Sequence, residues 1–187
     1  MARETRKAIT DALLDLALEN PSRTNFSMTE IAERAGVSRQ AIYQKHFRNC
    51  GEIVKCLREM TNEDVYTTFQ KYNCISGENP FQFFADKILP IFYKKQKLLR
   101  CFFTTALDPT WRNYIIDLYS KWEIDIYQRK YTEFHLSNCA MTRMFIESTT
   151  SIVEAWICQD EPVSAEIFRT DFLRLVSTPL SNLLVVN

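Results

Sequence analysis

The chain has 187 residues, 23 basic against 23 acidic, with 46% hydrophobic residues, three glycines and six prolines. Balanced charge argues against a protein that coats nucleic acid by bulk electrostatics, and so few turn-formers argue against a fold of many short strands. No stretch reaches the ~18 uninterrupted apolar residues of a spanning helix, and the start MARETRKAITDALL lacks a signal-like apolar core, so the expectation is a soluble, cytoplasmic protein of one or two domains.

Ile9, Ala12, Leu13, Leu16 and Ala17 recur at helical spacing, which predicts a helix over about 4–19, ended by Asn20-Pro21-Ser22. A second helix starts near Ser27, where Ser27 and Glu30 have capping-box spacing, and stops at Gly36. A third follows Ser38. A longer helix spans roughly 51–72, and Ser76-Gly77-Glu78-Asn79-Pro80 is the clearest break. Helices over about 81–94, 96–106 and 110–133 follow, with Asp108-Pro109 as a breaker, and the last two run about 137–159 and 165–184 around Asp160-Glu161-Pro162. The reading is all-α, with about nine helices and no convincing strand pair or repeat.

Within EIAERAGVSRQAIYQKHF, residues 30–47, Gly36 falls just past a helix end, where positive φ is commonly needed. Ile31, Ala32, Ala35, Val37 and Ile42 are spaced to share a core with the first helix, and the small Ala32 lets the second and third helices approach. This is the layout of a helix-turn-helix, whose second helix enters a DNA major groove. With Ile42 inward, Gln40 and Gln44 lie about 200° away, on the opposite face, flanked by Ala41 and Tyr43. Glutamine can bond an adenine edge with two hydrogen bonds, and alanine can touch a thymine methyl. Tyr43 and Lys45 can reach phosphates, and Arg39 is long enough for base or phosphate. Arg39 opposes the helix dipole at this end, a conflict that a phosphate would remove. Residues 1–50 hold eight Lys/Arg and six Asp/Glu, a weak excess. The competing reading is an ordinary helical hairpin with a solvated face.

FSMTEIAERAGVSRQAIYQKHF resembles the N-terminal signature of TetR-type (tetracycline-repressor-like) transcriptional regulators, with a match over roughly residues 8–58. The resemblance implies a three-helix DNA-binding domain over residues 1–50 and a helical effector-binding and dimerisation domain over 51–187. It implies DNA contacts from Ser27, Thr29, Ser38, Arg39, Gln40, Ala41, Tyr43, Gln44, Lys45 and His46, and a homodimer on a palindromic double-stranded operator. The function it implies is a sequence-specific regulator, a repressor released by a small apolar or aromatic effector. Arg3, Arg6 and Lys7 form either an arm near the DNA backbone or a solvated terminus. Two departures stand out. Members read Tyr-x-His-Phe or a close variant after the serine, whereas Tyr43-Gln44-Lys45-His46-Phe47 is one residue longer, which shifts His46 and Phe47 by about 100° on a helix. Members also carry a lysine at the start of the fourth helix, where this chain has Cys50-Gly51.

Of the 24 aromatic residues, 21 lie between Tyr66 and Phe172. Such stripes are either plain core or pocket walls. On the resemblance, the candidate walls are Phe84, Ile88, Phe102, Phe103, Tyr114, Trp122, Met144 and Phe145. FIESTTSIVEAWICQDEPVSAEIF resembles in outline the segment where members pair their last two helices across a dimer. Ser148, Ile152, Ala155, Trp156, Phe172, Leu175 and Val176 are the candidate interface. The alternative is a ligand-independent DNA-binding dimer whose larger domain docks a protein partner. Two histidines, no Gly-rich phosphate loop, no G-x-S-x-G and no metal spacing leave little for an enzyme. Cys50, Cys56, Cys74, Cys101, Cys139 and Cys158 form no CxxC pair, and His46 and His135 lie far apart, so buried free thiols and no metal or cofactor are expected. Cys50 sits at an expected helix start, where the N-terminus lowers a thiol pKa.

Overall fold

The computed structural model describes residues 2–72, 79–126, 135–179 and 182, with no side chains at 122–126. Cys74, Ser76-Gly77-Glu78, the end of the expected 110–133 helix and the Trp122 side chain lie outside the described residues. The described residues form nine helices and no strand. These are α1 (Ala2–Glu19), α2 (Met28–Ala35), α3 (Arg39–Lys45) and α4 (Cys50–Phe69). Helix α5 begins as Pro80–Phe83, widens into a π turn at Phe84–Ile88 and resumes as Leu89–Lys94. Then come α6 (Gln96–Thr104), α7 (Trp111–Ile126), α8 (Asn138–Ile157) and α9 (Ala165–Ser177). No described helix is long and apolar enough to cross a membrane.

The chain divides into two compact units, and one boundary falls inside α4. The first holds residues 1–66 and 95–111. Its core is the stripe read in the sequence. Ile9, Ala12, Leu13, Leu16 and Ala17 are buried on α1, which packs on α2 and α6. From α4, Ile53, Cys56, Leu57 and Val65 join the buried set. Thr61, fully buried, donates its hydroxyl to the Leu57 carbonyl at 3.0 Å, so its burial leaves no orphaned donor. The loop after α6 is fixed by Asp108, whose two oxygens each lie 2.5 Å from Arg58 nitrogens, with the Thr110 hydroxyl donating at 2.9 Å. Burial alone would raise the Asp108 carboxyl, but the bonds from Arg58 and Thr110 outweigh it and hold it below its ordinary range. Phe102 stacks on Trp111 at 4.3 Å.

The second unit holds residues 67–94 and 112–187. Here α9 packs on α5 and α8 through aromatic layers. Trp156 lies between Phe168, at 4.4 Å, and Tyr93, at 6.0 Å, and donates its indole N–H to the Val163 carbonyl at 2.9 Å. Phe172 stacks on Phe84 at 5.1 Å. The sequence predicts one uninterrupted helix over about 81–94. The π turn, where the Leu89 N–H reaches the Phe84 carbonyl five residues back, departs from that. Pro90 supplies the reason: it has no N–H for the carbonyl four residues earlier, and its ring crowds that turn, which widens instead.

Candidate nucleic-acid interface

The α2–turn–α3 segment is fixed at each joint by a separate local device. At the start of α2, Ser27 and Glu30 form both halves of the capping box, with the Ser27 N–H donating to Glu30 Oε2 at 2.9 Å and the Glu30 N–H donating to Ser27 Oγ at 3.2 Å. Arg23, not singled out in the sequence, grips the same carboxylate with two nitrogens at 3.0 and 3.2 Å and lies 4.5 Å over the Phe26 ring. The Arg23 bond, then those from Ser27, lower the Glu30 carboxyl to about 2. The Ser27 hydroxyl proton is committed to Glu30 Oε2 at 2.8 Å.

Gly36 ends α2 at φ 66°, ψ 30°, with its N–H on Glu33 and the Val37 N–H on Ala32. This is the Schellman closure, and its left-handed residue is why a glycine stands there. Ser38 then caps α3, its hydroxyl accepting from the Ala41 N–H at 3.1 Å. Ile42 and Ile31 are fully buried and Ala32 nearly so, while Ala35 and Val37 are half-buried. Arg39, Gln40, Tyr43, Gln44 and Lys45 are exposed, with Ala41 and His46 half-buried. Arg39 donates to the Thr29 hydroxyl oxygen at 3.3 Å and lies 5.9 Å over the Tyr43 ring. All ten residues read from the sequence as DNA-facing therefore sit on α2, α3 or their caps.

The extra residue in Tyr43–Phe47 is absorbed where α3 ends. The His46 and Phe47 N–H groups both donate to the Ile42 carbonyl, at 2.9 and 3.0 Å, so the last turn is one residue wider than an α turn. Phe47 is thereby returned to the core, 3% exposed, under the Arg6 guanidinium at 4.8 Å. Arg6 also donates to Cys56 Sγ at 3.3 Å. Asn49 caps α4, accepting from the Glu52 N–H at 3.0 Å, while Glu52 accepts from the Arg48 N–H at 2.7 Å. Only the Asn49 half of a capping box is present, because Glu52 reaches one residue further back, to Arg48, although the Asn49-x-x-Glu52 spacing marks this helix start in the sequence. A Cβ at position 51 would lie 3.2 Å from the capping Asn49 Oδ1, a tight contact that Gly51 avoids. The expectation for Cys50 is corrected. Burial raises its thiol pKa, outweighing the bond from the Phe26 backbone.

The remaining candidates fall as follows. Phe102 is buried and Phe103 half-buried in the first unit, both against Trp111. In the second unit Ile88 is buried, Phe84, Tyr114 and Phe145 are half-buried, and Met144 is 44% exposed. Of the residues proposed to pair across a dimer, Ser148 and Ala155 are exposed, Ile152, Leu175 and Val176 half-buried, and Trp156 and Phe172 buried among their own unit's aromatics. Among the described residues no three His, Cys, Asp or Glu side chains group as metal ligands.

No protein-family model matches the sequence, and no curated protein does. Among solved structures, the chain shares its all-α fold with the TetR-type regulator NalD, the secondary repressor of the MexAB-OprM multidrug efflux pump in Pseudomonas aeruginosa. The TM-score is 0.60 at 18% identity, over 92% of this chain and 94% of that one.

Proposed function

We propose that the chain is a sequence-specific DNA-binding transcriptional regulator, with residues 1–50 as the reading head and 51–187 as the effector-binding and dimerisation domain. The observation that carries this reading is the outward face of α3. Gln40, Gln44, Tyr43 and Arg39 are exposed on a helix whose start, preceding turn and end are each pinned by Ser38, Gly36 and Phe47. A helix held this firmly, with hydrogen-bonding side chains outward and Ile42 inward, suits a major groove. The likeness in fold to NalD supports repression as the mode of action.

In this reading two copies associate through α8 and α9. Ser148, Ile152, Ala155, Leu175 and Val176 meet the partner, and buried Trp156 and Phe172 support the face from beneath. A two-fold dimer presents two α3 helices to a palindromic operator. An apolar or aromatic effector held near Phe84, Ile88, Tyr114, Trp122, Met144 and Phe145, or near Phe102 and Phe103, changes operator affinity only by its differential affinity for two spacings of the heads. The stacked aromatics around Phe172 and Trp156 favour a second reading, in which a filled domain docks a protein instead.

Footprinting on genomic fragments at rising salt tests the proposal. A protected palindrome that survives added salt supports it. Uniform binding that fades with salt and protects no site refutes base reading by α3.

A further inference from the structure

We infer that Gln40 and Gln44 act together as an adenine-reading pair, so that each operator half-site carries two adenines about two base pairs apart. This deepens the DNA-binding reading and rests on it.

The placement comes from the geometry of α3. At about 100° per residue, the direction opposite buried Ile42 runs between Gln40 and Gln44, each about 20° to one side. These two amides therefore occupy the centre of the outward face. Both side chains are exposed, and no described group hydrogen-bonds either amide. The cation that could compete for the centre is directed elsewhere. Arg39 is tied back to Thr29 at 3.3 Å and lies over Tyr43, on the rim where a phosphate would pass. Lys45 follows Gln44 by about 100°, on the flank of the face.

The chemistry then selects the base. A glutamine amide offers one acceptor and a donor side by side. Adenine presents the complementary pair in the major groove, an N7 acceptor and an N6 donor, whereas guanine presents two acceptors and is matched by the two donors of an arginine. With Arg39 on the rim and two amides at the centre, the face fits adenine. Ala41, half-buried beside Gln44, is placed to meet a thymine methyl. The spacing follows from two rises. Four residues of helix advance about 6 Å, and each base step advances about 3.4 Å, so the amides meet edges roughly two base pairs apart.

The test is selection of binding sites by the full-length chain from a pool of random duplexes, followed by titration of the enriched site. The expected motif holds two adenines about two base pairs apart in each half. Replacing either by 7-deaza-adenine, which removes the N7 acceptor, should weaken binding roughly tenfold. In Gln40→Ala that loss should vanish at one adenine, and in Gln44→Ala at the other, with melting temperatures unchanged because both side chains are exposed. An enriched motif centred on guanines, or variants that keep the full penalty at both adenines, overturns the pair while leaving the regulator reading intact. No enriched motif at all would overturn both.

Discussion

Replacement of Gly36 isolates the energetic cost of the turn between α2 and α3. Its φ of 66° lies in the left-handed region, and a Cβ built there meets nothing within 4 Å. The penalty for a side chain is thus one of backbone conformation and not of space. An L-residue in this region costs about 1–2 kcal/mol, and losing the flexible glycine from the unfolded chain returns about 0.4–1 kcal/mol. Gly36→Ala should therefore destabilise by about 1 kcal/mol net. Gly36→Asn should cost less although its side chain is larger, because asparagine tolerates this region, and Gly36→Val should cost most, because β-branched residues rarely enter it. Equilibrium urea unfolding reads these differences as midpoint shifts of about 0.5 M for each kcal/mol, given slopes of roughly 2 kcal/mol per molar. The order Asn, Ala, Val supports the reasoning. An alanine variant as stable as glycine, or an asparagine variant worse than alanine, would refute it.

Arg58→Ala should cost up to about 3 kcal/mol, because it leaves the Asp108 carboxylate buried without its cation. In the wild type the Asp108 pKa is lowered, so its contribution is complete above the ordinary value of 3.8 and is lost as pH falls through the folded value. In the variant the Thr110 bonds remain but those from Arg58 are gone, so burial weighs more and the Asp108 pKa lies above its wild-type value; the deficit measured by thermal melting should shrink as pH falls through the variant's folded value. The Glu30 carboxyl, followed by its carbon chemical shift, should titrate at about 2 and return toward 4.5 in Arg23→Ala. A Glu30 that titrates normally in the wild type would dismiss the Arg23 clamp. Alkylation at neutral pH should label exposed Cys139 first and half-buried Cys50, whose thiol burial raises, more slowly, with buried Cys101, raised to about 11, reacting only on unfolding.

The devices around the turn were readable because each is local. Ser27 with Glu30, Gly36 and Ser38 obey rules that span three or four residues. Pro90 also carried a local signal for the widened turn in α5, although apolar periodicity alone predicts a plain helix there. Other features depend on distant partners. The guanidinium that covers buried Phe47 comes from Arg6 on α1, and the loop at Asp108 needs Arg58, fifty residues earlier in the chain. Cys50 shows a rule giving way. A helix start alone would favour the thiolate, but burial, which no window around residue 50 reveals, raises this thiol. Periodicity marked Trp156 and Phe172 as apolar without saying which neighbours would cover them. Their stacks on Phe168 and Phe84 do.

The wide turn after Lys45 also bears on how this segment could change in length. The Ile42 carbonyl accepts from two successive N–H groups, so the helical register is already loosened by one residue just before buried Phe47. A one-residue change, which inside a packed helix rotates every later side chain by about 100°, should cost least at this seam. For the engineer, the same seam is the place to try a one-residue insertion, with the burial of Phe47 reporting whether the core survives.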